Sequence, residues 1–255
     1  MIQEKAAVRS VREIAPSIFR LSFRSSAIAG RAVPGQFVNV KVENERGPLL
    51  RRPFSIYSAE DNDVSIIFNV VGAGTRAMSE LTEDDVLNVV GPLGTGVFPY
   101  DDDGFSTALL VGGGLGVAAL PFLNSRIAKK KTRVTFLGAR SASQIVREGL
   151  EQVNVATDDG SEGRKGTVVE LLGIFLDKTP VSRPRIFSCG PLPMMRALKE
   201  LAAARKIECY LALEGEMACG IGLCQGCPVE TRGGKKKYQL VCHDGPVFEA
   251  STVNF

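Results

Sequence analysis

The sequence predicts a multidomain β plus α/β protein, in which an antiparallel β-barrel domain precedes a parallel α/β domain and a small cysteine-rich C-terminal segment. Apolar and polar residues alternate with period two in the N-terminal part of the chain, as in strands with one buried face. Further along, strand-like runs alternate with helical stretches, which is typical of a parallel sheet covered by helices. Four of the six cysteines lie between Cys219 and Cys242. We expect the three parts to cover residues 1–102, 103–212 and 213–255.

The barrel domain is predicted from short alternating runs separated by turn residues. Residues 19–24 and 38–42 alternate apolar with polar side chains, and further strand-like runs cover 64–71 and 86–90. Glycine and proline punctuate these runs, as expected where antiparallel strands turn back. One short helix is predicted after Gly74.

The α/β domain is predicted to begin after the sequence PYDDDG, because these polar turn formers precede a strongly apolar run. The pattern predicts strands at 107–111, 133–137, 153–157 and 185–188, and helices at 118–129, 142–148, 168–175 and 193–204. This alternation indicates a parallel sheet with helices on both faces.

Length and composition exclude several classes of protein. The 255 residues are 44% hydrophobic, which is ample for packed cores. A net charge of +3 is too balanced to favour nucleic acid or an anionic membrane surface as a partner. No run approaches the ~20 apolar residues of a membrane helix, and the charged N-terminus lacks a secretory pattern. We therefore expect a cytoplasmic protein whose cysteines serve a metal centre rather than a disulfide framework.

Four cysteines form the most specific motif. Cys219, Cys224 and Cys227 are spaced Cys-x4-Cys-x2-Cys, and Cys242 follows after fourteen intervening residues. Four thiolates arranged three plus one suit a [2Fe-2S] cluster, and the glycines among them let the backbone aim N–H groups at sulfur. A structural zinc ion is the alternative, although zinc sites usually pair two Cys-x2-Cys knuckles and this chain has one. Cysteines without a metal are a third alternative.

Two glycine turns predict a nucleotide site. Gly112, Gly113, Gly114 and Gly116 follow an apolar strand and precede a helical stretch, where glycine allows the backbone to approach a pyrophosphate closely. A tight packing turn without a ligand is the alternative for this feature alone.

A second turn, around Cys189 and Gly190, also follows a strand and precedes a helix. Two such turns at the carboxyl ends of strands would flank one crevice, where open α/β sheets bind nucleotides. Cys189 would either contribute to the geometry of the nicotinamide site or pack the turn as a small buried thiol.

A third motif lies in the barrel domain. Arg52 precedes Pro53, Phe54 and Ser55, so that an arginine could clamp a diphosphate and a hydroxyl could reach a ring nitrogen. Thr75 would cap the short helix that follows Gly74, leaving first-turn amides for a phosphate. A surface arginine and a simple helix cap are the alternatives.

Taken together, these motifs resemble the ferredoxin–NADP reductase superfamily. The C-terminal sequences MACGIGLCQGCPVE and VCHDGPVF are similar to those of one family within it, the electron-transfer subunits of the two-subunit, NAD-dependent (class 1B) dihydroorotate dehydrogenases. In that superfamily a proline usually follows the glycine turn by three residues, where this chain has Ala119, with Pro121 beyond.

The resemblance implies three cofactors and assigns residues to them. It implies FAD on Arg52, Pro53, Phe54, Ser55, Ile67, Phe68, Asn69, Gly74 and Thr75, NAD on Gly112, Gly113, Gly114, Gly116, Cys189 and Gly190, and the [2Fe-2S] cluster on Cys219, Cys224, Cys227 and Cys242. It further implies a heterotetramer with two copies of an FMN-containing catalytic subunit, which oxidises dihydroorotate in pyrimidine (UMP) biosynthesis. No catalytic residue for dihydroorotate is then expected in this chain.

Two other functions remain open on the sequence. The small subunit of NADH-dependent ferredoxin:NADP oxidoreductase has the same layout, but its first cluster ligand is commonly aspartate, where this chain has Cys219. A non-enzymatic metal-binding module that regulates a partner would bind neither flavin nor NADH. Arg140 and Ser141, after the strand ending near residue 137, would suit either an adenosine ribose or a 2′-phosphate.

Overall fold

The structure is a computed structural model that describes residues 1–42, 50–233 and 236–255. Its strands form three sheets, of seven, seven and three strands. The order of these sheets along the chain confirms the predicted β plus α/β architecture.

The first sheet is antiparallel and is built by the N-terminal part of the chain. Its strands are β1 (Ile2–Ala15), β2 (Ile18–Arg24), β3 (Phe37–Val42), β4 (Arg52–Ser55), β5 (Ser58–Glu60), β6 (Asp63–Asn69) and β7 (Val86–Leu93), and its helices are α1 (Ser26–Ala29) and α2 (Ala73–Ser79). The strands lie in the order β4-β3-β7-β1-β2-β6-β5. Alternate residues of these strands, such as Val38 and Val40 of β3, pack into one apolar core inside the curled sheet.

The second sheet is parallel through six strands. Its elements are β8 (Thr107–Gly113), α3 (Leu120–Arg126), β9 (Thr132–Ala139), β10 (Val153–Thr157), β11 (Arg164–Lys165), α4 (Val168–Lys178), β12 (Pro184–Cys189), α5 (Leu192–Arg205) and β13 (Glu208–Ala212). The strands lie in the order β11-β10-β9-β8-β12-β13, followed by one antiparallel edge strand.

Helices cover both faces of this sheet, as the sequence predicts. Leu109 and Val111 of β8 pack in the core that includes residues of α4 and α5. Their neighbours Ala108 and Leu110 pack on the other face with residues of α3. Because β8 is buried on both faces, it is a continuous apolar run rather than an alternating one.

The helix predicted at 118–129 is divided in two. A 3-10 helix covers Gly114–Ala119, and α3 follows it with Pro121 in its first turn. Proline fits there because the first helical N–H groups have no partner inside the helix. The helix predicted at 142–148 is also shorter than expected, since only Ala142–Gln144 forms a single 3-10 turn.

The C-terminal segment does not stand apart from the second sheet. It forms β14 (Pro228–Thr231), β15 (Tyr238–Leu240), β16 (Val247–Glu249) and β17 (Val253–Asn254). Strands β14, β15 and β17 make the third sheet, while β16 pairs with β13 at the edge of the second. The cysteine loop is therefore anchored at both ends, by β13 before it and by β16 after it.

Among the described residues, no helix is both long enough and apolar enough to cross a membrane.

Candidate functional site

A cavity of about 380 Å³ collects most of the residues predicted for the flavin. Its lining comes from three parts of the chain: Phe37, Pro53, Phe54, Ser55, Ile67, Phe68, Asn69, Val71 and Thr75 from the first sheet and α2, Leu115 and Ala118 from the glycine turn, and Leu213, Glu214, Gly215, Met217 and Pro246 from the C-terminal segment. We call this the flavin cavity.

Arg52 and Gly74 lie beside the flavin cavity rather than in its lining. The Arg52 Nη1 atom donates a hydrogen bond to the Leu50 carbonyl oxygen at 2.7 Å. A Cβ atom built on Gly74 would lie 2.1 Å from the Arg52 Cζ and Nε atoms, so the guanidinium rests directly on the first turn of α2. The predicted arginine clamp and the predicted phosphate turn are thus in contact with each other.

Thr75 does not cap α2 as predicted, because the helix begins earlier, at Ala73, with Gly72 as its N-cap. The Thr75 hydroxyl accepts hydrogen bonds from the N–H groups of Val71 at 2.9 Å and Gly72 at 3.3 Å. Its side chain therefore fixes the turn that leads into the helix, and it lines the flavin cavity from there.

A second cavity, of about 430 Å³, lies at the carboxyl edge of the second sheet. Its lining consists of Gly113, Gly114, Gly138, Ala139, Arg140, Gln144, Asp158, Gly166, Thr167, Val168, Val169, Pro191, Pro193, Met194 and Ala197. We call this the nucleotide cavity, since both predicted turns contribute to it. Asp158, which follows β10, was not predicted from the sequence. Arg140 alone would suit either an adenosine ribose or a 2′-phosphate, but the Asp158 carboxylate lines the same cavity. A carboxylate suits the hydroxyl groups of an unmodified ribose better than a 2′-phosphate.

The remaining residues predicted for NAD pack the two turns against each other. A Cβ atom on Gly116 would lie 2.4 Å from the Cys189 carbonyl oxygen, and one on Gly190 would lie 3.0 Å from the Gly113 nitrogen. Gly112 is enclosed by Leu120 and other apolar neighbours. The structure thus brings the turns together, and Gly112, Gly116, Cys189 and Gly190 shape the cavity from behind rather than line it.

Cys189 and Glu214 meet between the two cavities. The Cys189 thiol is fully buried, donates to Glu214 Oε1 at 3.9 Å, and has a pKa that burial raises far above the ordinary value. Glu214 faces the solvent in the flavin cavity, but protein surrounds its other sides, and this burial raises the pKa of its carboxyl group. Glu214 lies two residues beyond β13, in a stretch without periodicity, so the sequence alone did not single it out.

The four cysteines of the C-terminal loop receive backbone hydrogen bonds. Every one of the four sulfurs accepts an N–H: Cys219 from Ile221 at 3.5 Å and Cys224 at 3.4 Å, Cys224 from Gly226 at 3.4 Å, Cys227 from Cys242 at 3.4 Å, and Cys242 from Gly222 at 3.2 Å. Burial acts to raise the pKa of Cys219, but the N–H donors outweigh it and lower the pKa to about 6. Such donors stabilise the thiolate form, which is the form that binds metal. At Cys242, burial and the neighbouring Cys227 outweigh the Gly222 N–H and raise the pKa to about 12.

The sulfurs fall into two pairs. The Cys224 N–H donates to the Cys219 sulfur, and the Cys242 N–H donates to the Cys227 sulfur. In the part of the chain that the structure describes, no three or more His, Cys, Asp or Glu side chains are grouped to hold a single metal ion. A [2Fe-2S] cluster takes two ligands on each of its irons, which suits cysteines that fall into two pairs.

Burial divides the two pairs. Cys227 and Cys242 are buried and belong to the core of the second sheet, while Cys224 is exposed and Cys219 partly so. The exposed pair lies beside Leu223, whose side chain is 78% exposed. Met217 and Ile221, two further apolar residues of this loop, are partly buried and pack against the core of the second sheet.

Comparisons with known proteins agree with this geometry. A model of the iron–sulfur cluster binding domain of dihydroorotate dehydrogenase B matches residues 214–254. The electron transfer subunit of dihydroorotate dehydrogenase B (NAD(+)) from Caldanaerobacter subterraneus subsp. tengcongensis is 35% identical over 254 residues, which cover 98% of each chain. The corresponding subunit of Lysinibacillus sphaericus is 39% identical over 261 residues, again covering 98% of each chain.

A solved structure of an NADH-dependent reduced ferredoxin-NADP oxidoreductase, described for flavin-based electron bifurcation, is also similar. Its TM-score is 0.84 at 28% sequence identity, covering 98% of this chain and 89% of that chain. The higher identity to the dihydroorotate dehydrogenase subunits, over their full length, favours that family over the ferredoxin alternative.

Proposed function

The chain belongs to the family of electron-transfer subunits of dihydroorotate dehydrogenase B, and we propose that it relays electrons from an FMN-containing catalytic subunit to NAD⁺. It is an oxidoreductase subunit whose fold provides for FAD, a [2Fe-2S] cluster and NAD. Bound FAD supplies the change in electron number that the relay needs, because a flavin exchanges hydride with nicotinamide and single electrons with a cluster.

One observation carries this proposal. The flavin cavity is lined by the motif strand β4, by Leu115 and Ala118 of the glycine turn, and by Met217, which lies two residues before Cys219. A flavin held there would touch the edge of the nucleotide site on one side and the edge of the cluster loop on the other. The arrangement supports a relay in which FAD stands between cluster and nicotinamide.

The residues then have separate roles. We infer that Pro53, Phe54 and Ser55 hold the flavin ring against β4 while Arg52, resting on Gly74, offers its guanidinium to the diphosphate. Ile67, Phe68, Asn69 and Thr75 close the cavity from β6 and α2. The residues that line or support the nucleotide cavity, Gly112, Gly113, Gly114, Gly116, Cys189 and Gly190, shape the backbone that meets NAD(H).

The partner is proposed from the family and from the exposed half of the cluster loop. Cys224 and Leu223 are exposed, so a catalytic subunit docked over them would come close to the cluster and cover an apolar side chain. We propose an assembly of two copies of each subunit, in the cytoplasm, where thiolate ligands are kept reduced.

The test separates the two half-reactions. The purified chain loaded with FAD and cluster should reduce an artificial dye with NADH, yet should not oxidise dihydroorotate until the catalytic subunit is added. Leu223→Glu should abolish dihydroorotate-to-NAD⁺ turnover in the complex and spare NADH-driven dye reduction. Val86→Glu, at an exposed apolar side chain of β7, is the matched control. Oxidation of dihydroorotate by the chain alone would reject the relay.

The cluster is tested by its content. Anaerobically purified protein should contain about two irons and two acid-labile sulfides per chain. Cys224→Ser should remove the cluster and leave FAD bound, because flavin and cluster ligands belong to different segments. Zinc without sulfide would show that the four cysteines hold a structural ion instead.

A further inference from the structure

One buried side chain connects the flavin-binding sheet with the cluster loop. Asn39 of β3 is 2% exposed, and its Nδ2 atom donates a hydrogen bond to the Cys219 carbonyl oxygen at 3.0 Å. The two residues are separated by 180 positions in the chain. The bond therefore joins the first part of the molecule directly to the backbone of the first cluster ligand.

Strand β3 is shared between the flavin cavity and the cluster loop. Its residues Val38 and Val40 point into the core of the first sheet, so Phe37 and Asn39 point outward. Phe37 lines the flavin cavity and packs in the same core as Cys227 and Cys242. The outward face of β3 thus contacts both redox sites.

The register of the sheet fixes Asn39 relative to the flavin residues. Strand β3 pairs antiparallel with β4, so that Phe37 lies opposite Ser55 and Asn39 lies opposite Pro53. Since Ser55 and Pro53 both line the flavin cavity, any movement of Asn39 along its strand would move the cavity wall as well.

The loop is shaped to receive this amide. Gly220 has a φ of +67°, and a Cβ atom on it would lie 2.1 Å from Asn39 Nδ2. The peptide between Cys219 and Gly220 is therefore pressed against the asparagine side chain, where only glycine leaves room. The same loop then places the N–H groups of Ile221 and Cys224 on the Cys219 sulfur.

Stability alone does not account for an asparagine here. Its Oδ1 atom is buried and has no hydrogen-bond partner among the described residues. A buried amide oxygen without a partner is destabilising, and an apolar side chain of the same size would avoid this cost. What the amide provides is the single donated bond to Cys219.

We propose that Asn39 is a positioning residue for electron transfer between FAD and the cluster. It holds the Cys219 end of the loop at a fixed place against the wall of the flavin cavity, and through it the N–H donors that act on the Cys219 sulfur. Hydrogen bonds to cluster sulfurs and their geometry tune the potential, so Asn39 sets both the approach of the two centres and the cluster's reduction potential. This inference rests on the proposed function.

The experiment compares substitutions of two buried asparagines in protein that contains FAD and the [2Fe-2S] cluster. In Asn39→Leu the donor is lost while the branching and the number of side-chain heavy atoms are kept, and Asn39→Ser keeps a shorter hydroxyl donor. Asn124→Leu is the matched control, because Asn124 of α3 is also buried and donates one amide bond, to the Gly149 carbonyl oxygen at 2.9 Å, while its Oδ1 atom has no partner among the described residues.

Asn39→Leu should retain FAD and NADH-driven dye reduction, shift the reduction potential and electron paramagnetic resonance spectrum of the cluster, and slow its reduction by NADH about tenfold. Asn39→Ser should show smaller shifts, and Asn124→Leu none. Loss of iron with FAD retained would also support a selective role at the loop.

An unchanged potential, spectrum and rate in Asn39→Leu would overturn the proposal, and so would equal shifts in Asn124→Leu or a joint loss of FAD and iron. The potential and the spectrum are measured on this chain alone. They therefore stand even if the complex fails to couple dihydroorotate to NAD⁺, an outcome that would reject the proposed function instead.

Discussion

The flavin cavity and the nucleotide cavity are similar in volume, about 380 and 430 Å³, but they are built differently. The flavin cavity takes its lining from the first sheet, the glycine turn and the C-terminal segment, whereas all residues that line the nucleotide cavity lie between Gly113 and Ala197. A ligand in the first cavity contacts three parts of the chain. A ligand in the second contacts one edge of one sheet.

This difference suits a cofactor that stays bound in the first cavity and a substrate that binds and leaves in the second. A bound ligand stabilises the folded state by mass action, by about 2.7 kcal/mol at a concentration 100 times its dissociation constant. Only the flavin would also tie the first sheet to the cluster loop, so it suits a resident cofactor. A nucleotide in the second cavity would contact only residues between Gly113 and Ala197 among those described, so its release would not disturb the first sheet or the cluster loop. A substrate that binds and leaves in each turnover requires this.

The largest expected effect comes from a substitution at Gly116, where the two glycine turns pack against each other. Gly116→Ala would place a Cβ atom 2.4 Å from the Cys189 carbonyl oxygen and 2.6 Å from the Gly190 Cα atom, and neither backbone atom can rotate away. We expect the free energy of unfolding to fall by about 1–3 kcal/mol and NADH-driven dye reduction to be lost. Urea denaturation and a dye assay measure both.

Gly173→Ala is the control for this substitution. Gly173 lies inside α4, where a Cβ atom would meet Leu201 at 3.9 Å and no other described residue outside its own helix backbone within 4 Å. Alanine in a helix interior is favoured over glycine by about 0.5–1 kcal/mol, so this variant should be slightly more stable. Equal stability losses in the two variants would show that the turns do not depend on close backbone packing.

The second prediction concerns the flavin cavity. Arg52→Ala should weaken FAD binding by roughly 1.5–3 kcal/mol if the guanidinium pairs with the diphosphate. The control is Arg51→Ala, because Arg51 bonds instead to the carbonyl oxygen and side chain of Asn88. Flavin fluorescence on dilution measures occupancy, and unchanged FAD retention in Arg52→Ala would remove the arginine from the site.

Local patterns explain which parts of this molecule could be predicted from the sequence. Four strands of the first sheet, four strands of the second sheet and the cysteine motif follow from periodicity and spacing, which are local, and the structure places β10 at the predicted 153–157. The strands β1 and β13 were not predicted. Thr75 was misplaced as a cap because its hydroxyl bonds backward to Val71 and Gly72, a choice that the sequence pattern does not distinguish.

Contacts between distant segments could not be predicted in the same way. In the sequence, Asn39 is one polar position in an alternating strand. Its hydrogen bond to the Cys219 carbonyl oxygen is visible only in the folded chain. Glu214 and Asp158 follow strands in stretches without periodicity, and their importance depends on which cavity they face. The motifs therefore predict where the sites lie, whereas the contacts that join them are visible only in the folded chain.

The third prediction tests nucleotide preference. Asp158 lines the nucleotide cavity, and a carboxylate there can accept hydrogen bonds from ribose hydroxyls but repels a 2′-phosphate. Asp158→Asn should raise the KM for NADH about tenfold, which corresponds to a loss of roughly 1.4 kcal/mol of binding free energy. The same substitution should reduce the preference for NADH over NADPH. The control is Asp159→Asn, whose carboxylate accepts from the Ser161 N–H and hydroxyl. An equal rise of the KM for NADH in both variants would argue against a contact between Asp158 and the ribose.

The smallest effect is expected at Glu214, where the flavin cavity meets Cys189. Burial raises the pKa of the Glu214 carboxyl, so the folded chain binds its proton more tightly than the unfolded chain does. The contribution of Glu214 to the free energy of unfolding therefore falls as pH rises through the ordinary glutamate pKa, and levels off above the raised value. Glu214→Gln cannot titrate, so its stability relative to the wild type should increase across this window.

Urea denaturation of the flavin-free chain between pH 4 and 8 measures the difference, with Glu216→Gln as the control for removing one carboxylate nearby. FAD should enlarge the difference, because filling the cavity would exclude the water that now reaches Glu214. A nucleotide confined to the other cavity should leave it unchanged. If FAD reduced the difference instead, the carboxylate would have a donor on the flavin, and Glu214 would bind the cofactor rather than only line its cavity.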